Sequence, residues 1–330
     1  MRRAFGFLLI FIALLSKNEN ILGQQMPLHS QFLMNEYLIN PAIAGYDGYS
    51  KVNLYAREQW AGLPQSPKTY TASFQTRILG YSYIIKKKSI RKKLNNLSKM
   101  SRIGLGGLVY DDKSGTIART GFQFTYAYHI PFNVSQLSFG ISAGAYQFKL
   151  DKSAITLYDQ DDPYYLSYDH ASFVPDANFG VYYLAETYNL GFSLYNLFQS
   201  AMKLDKNGKN DYQALRNYYI SGGYKLDLKN QFLLYGYILL KATNKFNSMQ
   251  ADASVTGFYQ YTYWVGLSYR TINTLIIRAG FKLDNFYFGY AFDYNFNSIR
   301  KHTYGSHEIT AAVKFGQSAR RYRWINHDLY

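Results

Sequence analysis

From Ser50 onward the chain repeats one pattern: a short run in which apolar residues alternate with polar or small ones, then a turn rich in Gly, Asp or Asn. Successive side chains of a β-strand point to opposite faces, so a period of two writes one apolar face and one different face. After Asn285, the residues Phe286, Phe288, Tyr290 and Phe292 share one face, and Tyr287, Gly289, Ala291 and Asp293 share the other. Leu275, Ile277, Ala279 and Phe281 alternate in the same way with Ile276, Arg278, Gly280 and Lys282. So do Phe122, Phe124, Tyr126 and Tyr128 with Gln123, Thr125, Ala127 and His129. The pattern predicts strands near 50–58, 68–78, 101–111, 116–130, 134–149, 174–185, 187–199, 217–226, 230–241, 249–259, 262–270, 273–283, 285–296 and 307–316. That makes about fourteen, an even number suited to a single-chain barrel.

A face this apolar on so many strands has two possible settings. In a bilayer every strand N–H and C=O must find a partner within the sheet, so only a closed sheet is tolerated. The apolar faces then meet lipid, and the Gly, Ser, Thr, Gln and Arg faces point inward, where small residues either leave a lumen or let walls close up. The alternative is a soluble sandwich that hides the apolar faces between two sheets. Turn lengths favour the barrel. With both termini periplasmic, the connections at 131–133, 186, 227–229, 260–261 and 284 are all tight. Those at 150–173, 200–216, 242–248 and 297–306 are long, as expected of outer loops. The expected fold class is an all-β, closed antiparallel transmembrane β-barrel. One connection on the tight side, 79–100, is long.

Composition agrees. There are 35 Tyr and 23 Phe, and only 17% of residues are charged, against about 25% in soluble domains. With no Cys, disulfides, Cys-ligated zinc, thiolate catalysis and a lipidated mature N-terminus are excluded. Arg2 and Arg3 precede an apolar run from Ala4 to Leu15, the form of a secretory signal with cleavage near Gly23. The expected organisation is a signal peptide over 1–23, a periplasmic or plug segment over 24–49, the barrel over 50–316 and a basic tail over 317–330. The net charge of +15 is concentrated in local arms. One carries Lys86, Lys87, Lys88, Arg91, Lys92 and Lys93, and another Arg320, Arg321 and Arg323. Such arms on an exported chain suit anionic lipid or an acidic protein partner rather than nucleic acid.

Catalytic constellations are missing. The six His are scattered, and His307-Glu308 lacks the second His of a zincin helix. Ser306 and His307 are adjacent on a strand, so they point to opposite faces and pair poorly. The expectation is a non-enzyme without cofactor. Leu28, Phe32, Leu33 and Tyr37 fall near helical spacing, and Asn40 before Pro41 is expected to stop that helix. This amphipathic piece either plugs the barrel or packs on its rim.

At this segment the chain resembles the PorP/SprF family of the Bacteroidetes type IX secretion and gliding apparatus. The likeness rests on Gln31, Asn35, Asn40-Pro41-Ala42 and Gly45, then Arg57-Glu58-Gln59-Trp60. It continues through Pro175-Asp176, Arg216-Asn217-Tyr218-Tyr219, Tyr290-Ala291-Phe292-Asp293-Tyr294 and Gly305-Ser306-His307-Glu308, in consistent order over the mature chain. The resemblance implies a cell outer-membrane protein that works with type IX or gliding subunits and with an exported surface protein or adhesin. It assigns no catalytic residues. A porin-like channel for small solutes is the competing expectation. Arg57 and Trp60 are expected at the outer rim, with Asp293 and Glu308 on adjacent strands placed to pair with Arg57 or Arg278.

Overall fold

Alternation builds the wall. In the computed structural model, which describes residues 29–78, 102–150, 172–199, 201–203, 211–228, 231–243 and 249–316, each predicted strand forms within a few residues of its expected ends. The first seven are β1 (Ser50–Glu58), β2 (Lys68–Ile78), β3 (Ile103–Ser114), β4 (Ile117–Pro131), β5 (Ser135–Leu150), β6 (Ser172–Ala185) and β7 (Tyr188–Tyr195). A small hairpin follows, β8 (Ala201–Lys203) and β9 (Asp211–Gln213), inside a stretch expected to be a loop. Then come β10 (Asn217–Asp227), β11 (Phe232–Thr243), β12 (Met249–Tyr259), β13 (Tyr263–Arg270), β14 (Thr274–Leu283), β15 (Phe286–Asn295) and β16 (Ser306–Phe315). All but the hairpin pair with their neighbours into one closed barrel of fourteen strands.

Closure is made at a seam where β1 pairs antiparallel with β16, Ser50 opposite Phe315 and Arg57 opposite Glu308. The two edges a sheet would otherwise expose are thereby removed. Most of the tight turns gather at the end where β1 starts, and the long connections 59–67 and 296–305 lie at the other. These are called the short-turn and long-connection ends below.

The outward residues are those the alternation selects. Phe122, Phe124, Tyr126, Ile141, Val265, Leu267, Ile277, Phe288, Tyr290 and Ile309 are all exposed, a band fit for lipid. No helix among the described residues is long and apolar enough to cross a membrane; the strands do so.

Inside the wall runs the segment 29–49. Its residues touch opposite sides of the barrel: Ser30 bonds Glu308, Tyr37 bonds Thr125 and Asn40 bonds the carbonyl of Val181. It differs from the expected single helix. Three short 3-10 turns, Phe32–Met34, Glu36–Leu38 and Pro41–Ile43, are separated by Asn35 and by Asn40, both with φ near −150°. Those asparagines spend their amides on the wall, and a continuous helix would carry them away from it. Nor does Asn40-Pro41 stop a helix. It starts the third turn, with Pro41 in the first position, where no N–H is needed, and the Asn40 side chain accepting from Ala42 N–H at 2.9 Å.

A second finding concerns the inner face, where Gly, Ser, Thr, Gln and Arg are expected to predominate. On β1 and β2 it is largely so: Asn53, Arg57, Thr69, Thr71, Ser73, Gln75 and Arg77 are buried. On β11, however, Leu233, Tyr235, Tyr237 and Leu239 point inward, joined by Phe258, Trp264 and Tyr287. The reason is the segment itself, which brings Phe32, Leu33 and Met34 against this wall. Burying each such side chain is worth roughly 1.5–3 kcal/mol.

Candidate functional site

The seated segment and the wall residues that hold it form the site. Its first anchor lies at the seam, toward the long-connection end. Register places Arg57 directly opposite Glu308, and Asp293 opposite Ser306 on the far side of β16. Period-two geometry turns all three charged residues into the lumen. Arg57 reaches Asp293 Oδ2 at 2.7 Å and Glu308 Oε2 at 3.0 Å, with each residue at most 5% exposed. Arg278 is not in this cluster; it bonds Thr256.

Two carboxylates against one guanidinium leave one negative charge, and the segment answers it. Glu308 accepts the backbone N–H of Ser30 at 2.8 Å and of Gln31 at 2.9 Å. Ser30 Oγ donates to Asp293 at 2.7 Å and also meets Arg57. The Gln31 amide donates to the Glu308 carbonyl at 3.1 Å. The bonds to the two carboxylates are charge-assisted and roughly twice as strong as neutral ones.

A second anchor uses the same two strands at the short-turn end. Asp47 is fully enclosed and pairs with Lys51 on β1 at 2.7 Å and Lys314 on β16 at 3.4 Å. Burial opposes the charge on Asp47, yet the two lysines hold its carboxyl well below the usual range. Lys314 also lies 4.1 Å from the ring centroid of Tyr49.

Between the anchors, neutral hydrogen bonds and shape take over. Asn35 donates to Ser73 Oγ at 2.7 Å and accepts from Gln75 at 3.1 Å. Tyr37 meets Thr125 at 2.6 Å. The Ala44 carbonyl accepts from His129 at 3.0 Å, and the Tyr46 carbonyl from Arg77 at 3.1 Å and Gln136 at 3.2 Å. Here the inner glycines find their use. A Cβ on Gly140 would stand 2.3 Å from Ala42 N, and one on Gly104 would stand 1.9 Å from Ala44 O. On Gly180 it would meet Asn40 Oδ1 at 2.1 Å. These residues are small so that the segment can lie against the strands, by its backbone at Gly104 and Gly140 and by the Asn40 side chain at Gly180.

Glu36 is the odd member. It receives the hydroxyl of Tyr237 at 3.1 Å and borders a cavity of about 40 Å³, also lined by Tyr182, Lys51 and Lys225. Burial pushes its carboxyl up to about 7, although the Tyr237 hydrogen bond and the charges of Lys225 and Lys51 pull the other way. Toward the long-connection end a larger hollow of about 120 Å³ lies between Phe32, Leu38 and Ile39 of the segment and Tyr110, Tyr146 and Tyr219 of the wall.

Of the residues singled out from sequence, Gln31, Asn35, Asn40, Pro41, Arg57, Asp293 and Glu308 therefore meet in the lumen. Gln59 and Trp60 do not. Gln59 N–H donates to the Pro67 carbonyl, and Trp60, at φ 56°, donates its N–H to Ser306 Oγ at 3.1 Å, so both fasten the rim. His307 lies on the outer face, its Nδ1 2.7 Å from the hydroxyl of Tyr290. Lys86, Lys87, Lys88, Arg91, Lys92 and Lys93 lie outside the described residues, as do the expected signal peptide and the basic tail. Ser30, Glu36, Asp47, Arg77, His129 and Gln136 were missed. The signal for His129 was its place on the inner face of β4. For Ser30 and Asp47 there was none, because the segment's path is not periodic. Among the described residues no group of His, Asp or Glu is arranged to hold a metal.

Residues 21–313 match the family model described as type IX secretion system membrane protein PorP/SprF. No curated protein matches. Among solved structures, the toluene transporter TbuX of Ralstonia pickettii aligns at 10% identity over 91% of this chain and 97% of that one, with a TM-score of 0.48. The toluene transporter TodX of Pseudomonas putida aligns at 9% identity over 85% and 92%, with a TM-score of 0.44. The KdgM porin aligns at 8% over 81% and 99%, with a TM-score of 0.36. Likeness this low carries no functional weight.

Proposed function

The chain belongs to the PorP/SprF family of type IX secretion membrane proteins, and from that premise we propose that it is a sealed outer-membrane component that recognises or anchors an exported surface protein. It sits in the outer membrane as a fourteen-stranded barrel and is not an enzyme. The observation that carries the reading is the occupied lumen. A solute channel needs a continuous water-filled path, whereas here the segment 29–49 crosses the lumen and is bound to the seam at both ends. In this reading the long-connection end faces outward, toward an exported protein. The short-turn end, where β2 ends and β3 begins on either side of the basic 79–100 connection, faces the periplasmic subunits of the apparatus.

Two measurements test this together. Purified protein in planar bilayers is expected to show no steady porin-like conductance. A pull-down from native membranes is expected to retain type IX subunits and an exported surface protein. Steady ohmic conductance with no retained partner would instead establish the small-solute channel.

A further inference from the structure

On the outer surface at the long-connection end, the connection between β15 and β16 stands off from the wall. It leaves an open groove of about 440 Å³. One side is lipid-facing sheet, Phe292 and Tyr294; the other carries Arg300, Lys301, Thr303 and Tyr304. We propose that this groove binds a phosphate-bearing lipid of the outer leaflet, the phosphorylated glucosamine headgroup of lipid A.

Three observations carry it. First, the groove joins the two media such a ligand joins. Its aromatic wall continues the band of Phe288, Tyr290 and Ile309, all exposed, while its cations sit in the connection beyond the end of β15 at Asn295. Second, the cations are available. Neither Arg300 nor Lys301 has an ion-pair partner among the described residues, and both are exposed. Glu58, the carboxylate on the outward face of β1, is already bonded to Lys68 at 3.2 Å and Ser66 at 3.0 Å. A guanidinium and an ammonium on neighbouring residues, both lining a groove with an aromatic wall, suit a phosphate monoester. Third, the connection is fixed in place. Tyr304 N–H donates to Ala61 O and Ala61 N–H to Gly305 O, each at 2.8 Å, and Thr303 Oγ1 reaches Ala61 O at 3.0 Å. A short 3-10 turn, Ser298–Lys301, sets the two cations. The choice of lipid A over an inner-leaflet phospholipid rests on the outward orientation of the long-connection end.

The test uses detergent-purified full-length protein placed in phosphatidylcholine nanodiscs doped with lipid A, dephosphorylated lipid A or phosphatidylglycerol. Retained lipid is counted by native mass spectrometry. The wild type is expected to retain lipid A at least tenfold over the other two, and Arg300→Glu with Lys301→Glu to lose that preference. The milder pair Arg300→Gln with Lys301→Gln should fall between, and heat-modifiable mobility on gels shows that each variant is folded. Equal retention by wild type and the Glu pair would overturn the site, as would equal retention of dephosphorylated lipid A. Equal retention of phosphatidylglycerol would overturn the assignment to lipid A.

Discussion

The two sides of the lumen hold the same segment by different physics. At the seam, β1 and β16 grip it by charge: Arg57 and Glu308 near one end, Lys51 and Lys314 near the other. Across the barrel, β3, β5 and β6 receive it by shape, with Gly104 and Gly140 yielding space to its backbone and Gly180 to the Asn40 side chain. Charge specifies a register, since an ion buried away from its partner costs several kcal/mol. Shape specifies distance, because a glycine face lets backbone approach backbone where any side chain would hold it off. Neither side suffices alone: the seam fixes which residues meet, and the glycine wall fixes how deeply the segment lies.

The sharpest way to break this balance is Arg57→Ala. Asp293 and Glu308 would stay buried without their cation, a loss of about 3–5 kcal/mol. The segment should leave the lumen while the barrel stays closed, read as new conductance in planar bilayers with unchanged mobility of the unheated protein on gels. Next is pH. Glu36, on the luminal segment rather than on a strand, has its carboxyl raised from 4.5 to about 7. The seated segment keeps a proton that a released one gives up, so the Glu36 contribution to seating is fullest below 4.5. It weakens as pH climbs toward 7 and is level above, a change of about 3 kcal/mol in all. Protease protection of the segment measured from pH 4 to 8 should show that slope, and Glu36→Gln should abolish it.

On the opposite wall, Gly140→Ala sets a methyl against the backbone of Ala42. It should cost roughly 1–3 kcal/mol, read as a lower unfolding temperature. Gly236→Ala is the matched control, since a Cβ there meets nothing within 4 Å. The smallest effect is expected from Asn40→Ala, which removes the cap of the third turn and the bond to the Val181 carbonyl and should cost about 1–2 kcal/mol.

Much of the wall could be read from sequence. β1, β2 and β12 end where alternation ends, because a lipid-facing side chain and an inward one cannot exchange places without shifting the whole strand. β7 stops at Tyr195 rather than 199, since Asn196 turns left-handed at φ 59° and leaves the ladder. β11 was harder to orient: Phe-Leu-Leu-Tyr-Gly-Tyr-Ile-Leu-Leu is apolar on both faces, and periodicity cannot tell which one a plug will cover. Asp293 and Glu308 could be placed beside Arg57 because strand adjacency in a closed barrel follows chain order. The segment's own path could not. Its 3-10 turns are shaped by wall residues such as Ser73, Thr125 and His129, which lie far away in the chain.

Seating of 29–49 inside the barrel can be tested without background, because the chain has no Cys. Asn35→Cys with Ser73→Cys puts two thiols where the native side chains stand 2.7 Å apart. A protease site inserted within 61–67 then reports whether they join. After treatment of intact outer membranes with a short bifunctional thiol reagent and cleavage, the two pieces are expected to stay linked. Separation of the pieces, with both thiols still reactive to a water-soluble maleimide, would contradict it.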